Sequence, residues 1–317
     1  MRFISELKEV LKEACSTTVT LLKIMIPISI IVKILDYYGL IDVIGNYLSP
    51  VMGVVGLPGE FGLVWATAMV TNIYGALVVF FNLSLVNTYS VSQVTILACM
   101  ILVAHTLPIE ARIAQKAGVR LWFTVFFRVF CAFIFGLMLS IIFSTFGLLQ
   151  NNNKILWQPS IENPTLTQWI LGELRNYIMI FLIILGLLLF MKILKNIGII
   201  DKLNNFLKPS LRFMGMSKNA APIAIIGTTL GLSYGGALII KEAKSKVLSK
   251  KDVFYSLSLM DLNHSMIEDT LLMLAIGASI VGVLIGRALF TIIIMIILIK
   301  ITNHISKKNF EKYFVNY

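Results

Sequence analysis

The chain has 317 residues, 58% of them hydrophobic and 14% charged, with a mean hydropathy of +0.88. Soluble domains carry about a quarter charged residues, so this composition excludes a soluble enzyme or binding module. The net charge of +11 does not point to nucleic acid, because the lysines and arginines cluster in loops between apolar segments, as the positive-inside rule describes.

In chain order, Met1 to Lys12 mixes charged and apolar residues and reads as an interfacial helix rather than a cleaved signal. Thr17 to Leu35 is the first stretch near the roughly 20 apolar residues that cross a bilayer. A second amphipathic helix follows Gly39. Phe61 to Phe81 is apolar but interrupted by Thr71-Asn72-Ile73-Tyr74-Gly75. Val91 to Gly118 is a helix with His105 at its middle and Pro108 one turn on, where proline removes a backbone hydrogen bond. Leu121 to Phe146 is a further span, and Asn151 to Asn163 a polar linker.

The second half repeats this order. Tyr177 to Leu194 is a span, and an amphipathic helix with Lys202, Lys208, Arg212 and Lys218 follows Gly198. Ala221 to Ile240 is interrupted by Gly231-Leu232-Ser233-Tyr234-Gly235-Gly236. His264 lies in the middle of a helix from Lys251 to Gly277, and Leu289 to Ile301 is the core of the last span. Val32 to Pro50 aligns with Met191 to Pro209, and the same register pairs Gly56 with Gly215, His105 with His264 and Arg128 with Arg287. A register held over such a distance marks a duplication.

Loop charge sets how the halves relate. Lys241 to Lys251 is strongly basic, whereas its counterpart Asn82 to Ser92 has no charge; Arg112, Lys116 and Arg120 crowd one loop, whereas Thr270 to Ser279 is neutral. Equivalent loops then face opposite sides, which is the inverted-topology repeat of secondary transporters. The odd number of crossings this needs makes each interrupted segment a re-entrant hairpin, with broken backbone lining a cavity. The expected fold is an all-α integral membrane protein: an inverted repeat of six transmembrane helices, two re-entrant helical hairpins and interfacial helices. The expected parts are residues 1–148, an external linker at 149–163, and 164–317 with a basic tail. Both termini are placed in the cytoplasm and the chain in the cell inner membrane.

Ionisable groups inside a membrane are costly and mark substrate or proton routes. The expected site comprises His105, Thr106, Glu110, Asp261, Asn263, His264, Ser265, Glu268 and Asp269 from the broken helices. Thr71, Asn72, Tyr74, Ser233 and Tyr234 join from the hairpin tips. His105, His264, Glu110 and Glu268 are the set that could instead hold a divalent metal. Arg128, Arg287, Lys33 and Lys192 are expected to be interfacial anchors. The three cysteines and fourteen methionines are expected to pack. A histidine and an acid without a positioned nucleophile are not a catalytic set, so no enzyme is expected.

The segments ending in Tyr74-Gly75 and Tyr234-Gly235-Gly236, each followed by a helix with a histidine and acids, resemble two copies of the Gate (nucleoside recognition) domain. The resemblance spans residues 17–303. That domain is shared by concentrative nucleoside transporters, the membrane part of FeoB-type ferrous iron transporters, and spore maturation proteins A and B. It implies that hairpin tips and unwound helices hold a solute. The chain lacks G-x-x-x-x-G-K-[ST], so no GTPase accompanies it here, and no extra helix separates its halves. The expected function is secondary transport of a small polar, nucleoside-like solute, coupled to a proton or cation. A divalent-metal transporter and a non-transporting assembly or sporulation-type module are the alternatives. The expected partners are membrane lipid and a small-molecule or cation substrate, with no nucleic acid and no cofactor; homo-oligomerisation stays open.

Overall fold

A computed structural model describes residues 2–84, 88–154, 165–217, 220–231, 238–243 and 248–315. The protein is an all-α integral membrane protein, as expected. The first half runs α1 (Arg2–Tyr37), α2 (Leu40–Val54), α3 (Phe61–Val70), α4 (Ile73–Ser84), α5 (Val91–Val103), α6 (Leu107–Ala117) and α7 (Leu121–Thr145). The second runs α8 (Leu166–Asn196), α9 (Ile199–Phe213), α10 (Ala221–Leu230), a helical stretch at 238–243, α11 (Lys250–Leu262) and α12 (Glu268–Ala275). A π-helical turn, Val281–Gly286, leads into α13 (Arg287–His304), and α14 (Lys307–Phe314) closes the chain.

Five helical stretches among the described residues are long and apolar enough to cross a membrane: Lys8–Tyr37, Val91–Ala117, Leu121–Thr145, Leu166–Asn196 and Val281–His304. The sixth expected crossing is the pair α11–α12. It is less apolar than these five, with Asp261, Glu268 and Asp269 within it. The N-terminal interfacial helix is not separate; it runs unbroken into the first span as α1.

The first interrupted segment does fold back on itself. The ring of Phe61, at the start of α3, lies 5.9 Å from that of Phe80, near the end of α4. Thr71 and Asn72 form the tip, where the Asn72 carboxamide oxygen accepts from Gly75 N at 2.9 Å and caps α4. The second tip, 232–237, with Ser233 and Tyr234, lies outside the described residues.

Local structure recurs at the register read from sequence. Ser90 with Gln93 starts α5 by a capping box, and Ser249 with Asp252 starts α11 the same way. Thr106 and Ser265 both take left-handed backbone, with φ of 51° and 46°. The Thr106 amide donates to Ala68 O and the Met266 amide to Thr228 O, both at 2.9 Å, so each helix break is tied to the preceding apolar segment.

The broken helices run in opposite directions. The α5 start is bonded to the linker, through Val91 N to Asn151 O at 2.9 Å, and α6 ends where Arg120 N meets Phe314 O at 2.9 Å. The α11 start lies beside that same C-terminal helix, with Lys250 paired to Glu311 at 3.3 Å. α12 leads to Ile276, whose carbonyl accepts from the Asn153 side chain at 2.9 Å, back at the linker end. One end of the molecule therefore gathers Arg120, Lys250, Lys251 and Lys307, and the other holds residues 149–154.

At that linker end Gly277 has φ +88°, and a Cβ there would strike the Asn153 side chain and the Lys154 carbonyl. Gly277→Ala is expected to lower stability by about 1–3 kcal/mol, from the left-handed backbone alone. Thermal unfolding in detergent measures it; a transition temperature equal to that of the parent would mean the linker does not press on α12.

Candidate functional site

Breaks in both central helices expose backbone and turn one histidine from each toward the other. α5 ends at Ala104 (φ −133°, ψ 75°) and α11 at Asn263 (φ −148°, ψ 84°). Non-glycine left-handed residues then reverse the local path, and Pro108 opens α6 near its first position, where its missing N–H is no loss. Gly231 comes so close to the second break that a Cβ on it would meet Ser265 Oγ at 2.5 Å.

His105 Nδ1 lies 2.9 Å from Ile101 O, and His264 Nδ1 lies 2.7 Å from Met260 O. A carbonyl only accepts, so each Nδ1 carries the proton and each Nε2 keeps a lone pair in the neutral ring. The two Nε2 atoms face each other at 3.2 Å. Two lone pairs at that distance repel unless a cation lies between them. Glu110 Oε1 completes the cluster, 3.3 Å from His264 Nε2 and 3.8 Å from His105 Nε2.

The arginines expected at the interface are instead buried in this site. Arg128 and Arg287 are 0% and 1% exposed. Arg128 pairs with Glu110 and donates from Nε to Val103 O at 2.8 Å. Arg287 donates to Leu262 O and His264 O at 3.0 Å, and across the halves to Leu102 O at 3.3 Å. Both therefore hold carbonyls at or beside the two breaks, where a helix end leaves acceptors unpaired. Their placement one repeat apart was visible in sequence; their depth was not.

The site is asymmetric. Glu110 is tied to Arg128, whereas no ion pair joins Asp269 to Arg287 among the described residues. Asp269 Oδ2, both Asp261 oxygens and Asn263 Oδ1 have no hydrogen-bond partner there either, although all three residues are buried. Asp269, not Glu268, joins the histidines: one of its oxygens and a nitrogen of each ring lie within 4.8 Å of one another. Glu268 is half-buried and sits within electrostatic reach of Glu13 on α1. Tyr74 packs against the cluster of Met25, Val78 and Ile184 between α1 and α8. Thr71 bonds back to Thr67 O at 2.7 Å, so its hydroxyl serves the α3 end.

A second polar cluster lies apart from these groups and was not read from the sequence. Glu173 on α8 accepts from Ser29 at 2.6 Å and from Asn82 at 3.3 Å, and Tyr177 donates to Ser29 at 2.8 Å. Cys99 and Cys131 are buried and unpaired, in keeping with packing roles, and Cys15 is exposed.

Residues 18–121 match the family described as Gate: nucleoside recognition. The chain is also 27% identical over 279 residues to the uncharacterized membrane protein YvoD of Bacillus subtilis (strain 168), covering 86% of each chain. No solved structure matches. The matched region contains α2 to α6, with the first hairpin, the first break, His105 and Glu110. The chain is accordingly a multi-pass membrane protein that is similar, over residues 18–121, to the Gate (nucleoside recognition) family.

Proposed function

We propose that the protein is a secondary transporter that moves a small polar, nucleoside-like solute by alternating access, coupled to a cation held between the two halves. The observation that carries this reading is the 3.2 Å approach of two Nε2 lone pairs, each ring fixed by its own Nδ1 bond. A buried arrangement that is repulsive when empty and relieved by positive charge is suited to coupling, because it binds its ion only in the geometry that brings the halves together. In this reading residues 1–148 and 164–317 are inverted repeats joined by an external linker at 149–163. The basic end with Arg120, Lys250 and Lys307 faces the cytoplasm, and the protein sits in the cell inner membrane. Hydrogen bonds to the solute come from the tip residues Thr71 and Asn72 and from Thr106, Asn263 and Ser265.

Purified protein without a histidine tag, reconstituted in liposomes, tests this. An inward gradient of the coupling cation, imposed as protons and as a divalent metal in turn, is expected to drive uridine uptake with one of the two. His264→Ala is expected to abolish it, and His304→Ala, at an exposed ring on α13, to leave it unchanged. Wild-type protein that moves neither uridine nor a divalent cation would overturn the transport reading and favour a non-transporting membrane module.

A further inference from the structure

The cluster also carries an assignment for its ion, resting on the reading above that a cation belongs there. Two imidazole nitrogens bound at about 2.0–2.1 Å to one tetrahedral metal ion stand roughly 3.3 Å apart. The observed separation of the two Nε2 atoms is 3.2 Å, and Glu110 Oε1 is 3.3 Å from the nearer of them. Two of the three distances match the edges of such a polyhedron, and the third, His105 Nε2 to Glu110 Oε1, is longer at 3.8 Å. Each ring is held from behind by a backbone carbonyl, Ile101 O or Met260 O, which is how metal-bound histidines fix tautomer and orientation.

Asp269 decides between a metal and a shared proton. A proton between the rings satisfies both lone pairs and asks nothing of a further carboxylate. Asp269 nevertheless places one carboxylate oxygen within 4.8 Å of a nitrogen of each ring, is 8% exposed, and has an Oδ2 with no partner among the described residues. Arg287 lies within electrostatic reach of Asp269 but makes no close ion pair with it among the described residues, and this leaves that carboxylate available as a ligand. We infer that His105, His264, Glu110 and Asp269 form a binding site for a first-row divalent transition-metal ion, such as Zn²⁺ or Mn²⁺. Two nitrogen and two carboxylate oxygen donors suit this class, whereas Ca²⁺ and Mg²⁺ favour oxygen ligands alone.

Co²⁺ serves as the probe, added to untagged full-length protein in lipid nanodiscs and read by its visible d–d absorption. One ion per chain is expected, with the tetrahedral signature, displaced by Zn²⁺. His264→Ala and Asp269→Asn are each expected to weaken binding about 100-fold or more, the upper end of what loss of even an outer partner does. Glu173→Gln, in the separate cluster on α8, is expected to bind like the parent. Wild-type protein that takes up neither Co²⁺ nor Zn²⁺ overturns the inference without reference to any variant, and so does Asp269→Asn binding as tightly as wild type. Uridine flux in the same preparation reports on transport separately: flux without metal binding removes the metal site and leaves the transporter.

Discussion

Glu110→Gln is expected to destabilise the protein by about 3–5 kcal/mol, the range for leaving one partner of a buried ion pair without the other. Arg128 is fully buried, and its remaining described acceptor is the Val103 carbonyl. Gln keeps the shape of Glu but not its charge, so the guanidinium is left uncompensated in a low-dielectric interior. The same change leaves one amide oxygen where two carboxylate oxygens served Arg128 and His264 Nε2, so both can no longer face an anionic oxygen. Thermal unfolding in detergent should show a large drop for Glu110→Gln, with partial recovery in Glu110→Gln with Arg128→Gln, because the double variant removes the orphaned charge as well. Strictly additive losses in that cycle would mean the two side chains do not depend on each other.

Asp261→Leu is expected to act in the opposite direction on stability. Asp261 is 0% exposed, and neither carboxylate oxygen has a hydrogen-bond partner among the described residues. Its position in the register is taken by Leu102 in the first half, so the fold accepts leucine there. Replacing an unsatisfied buried polar group by an apolar one of similar size recovers about 1–3 kcal/mol. The transition temperature should therefore rise while gradient-driven uptake falls, the trade expected where a strained group is kept for function. A variant that is both more stable and fully active would show that the carboxylate has no part in transport.

Much of the architecture was legible because its signals are local. His105 and Pro108 mark the first break, and the Thr71–Asn72 interruption marks the first hairpin, since both interrupt otherwise continuous apolar runs. Asp269 stands at the register of Glu110, 159 positions on, whereas the metal set read from the sequence named Glu268. The arginines were misjudged for a physical reason. Composition places a lysine or arginine near a span end at the interface, yet Arg128 stands seven residues into α7, about 10 Å along the helix. That is deep enough to reach the broken backbone. The cluster of Ser29, Asn82 and Glu173 joins segments far apart in sequence, with no spacing to announce it. Asp261 gave no signal beyond its being an acid in an apolar helix.

The contact between His105 and His264 has a consequence for ancestry. Each half supplies one imidazole to the centre, and a lone Nε2 has no opposite number. In a half-length ancestor the same centre would need a second copy running the opposite way, as the two broken helices do here. Fusion of two such genes would fix one copy each way, and the lysine bias of Lys241 to Lys251 would then lock a choice that was once random. Residues 1–154 and 165–317, expressed as separate chains in one cell, should accordingly reassemble. Recovery of Co²⁺ binding only when both are present would show that the centre still belongs to neither half alone.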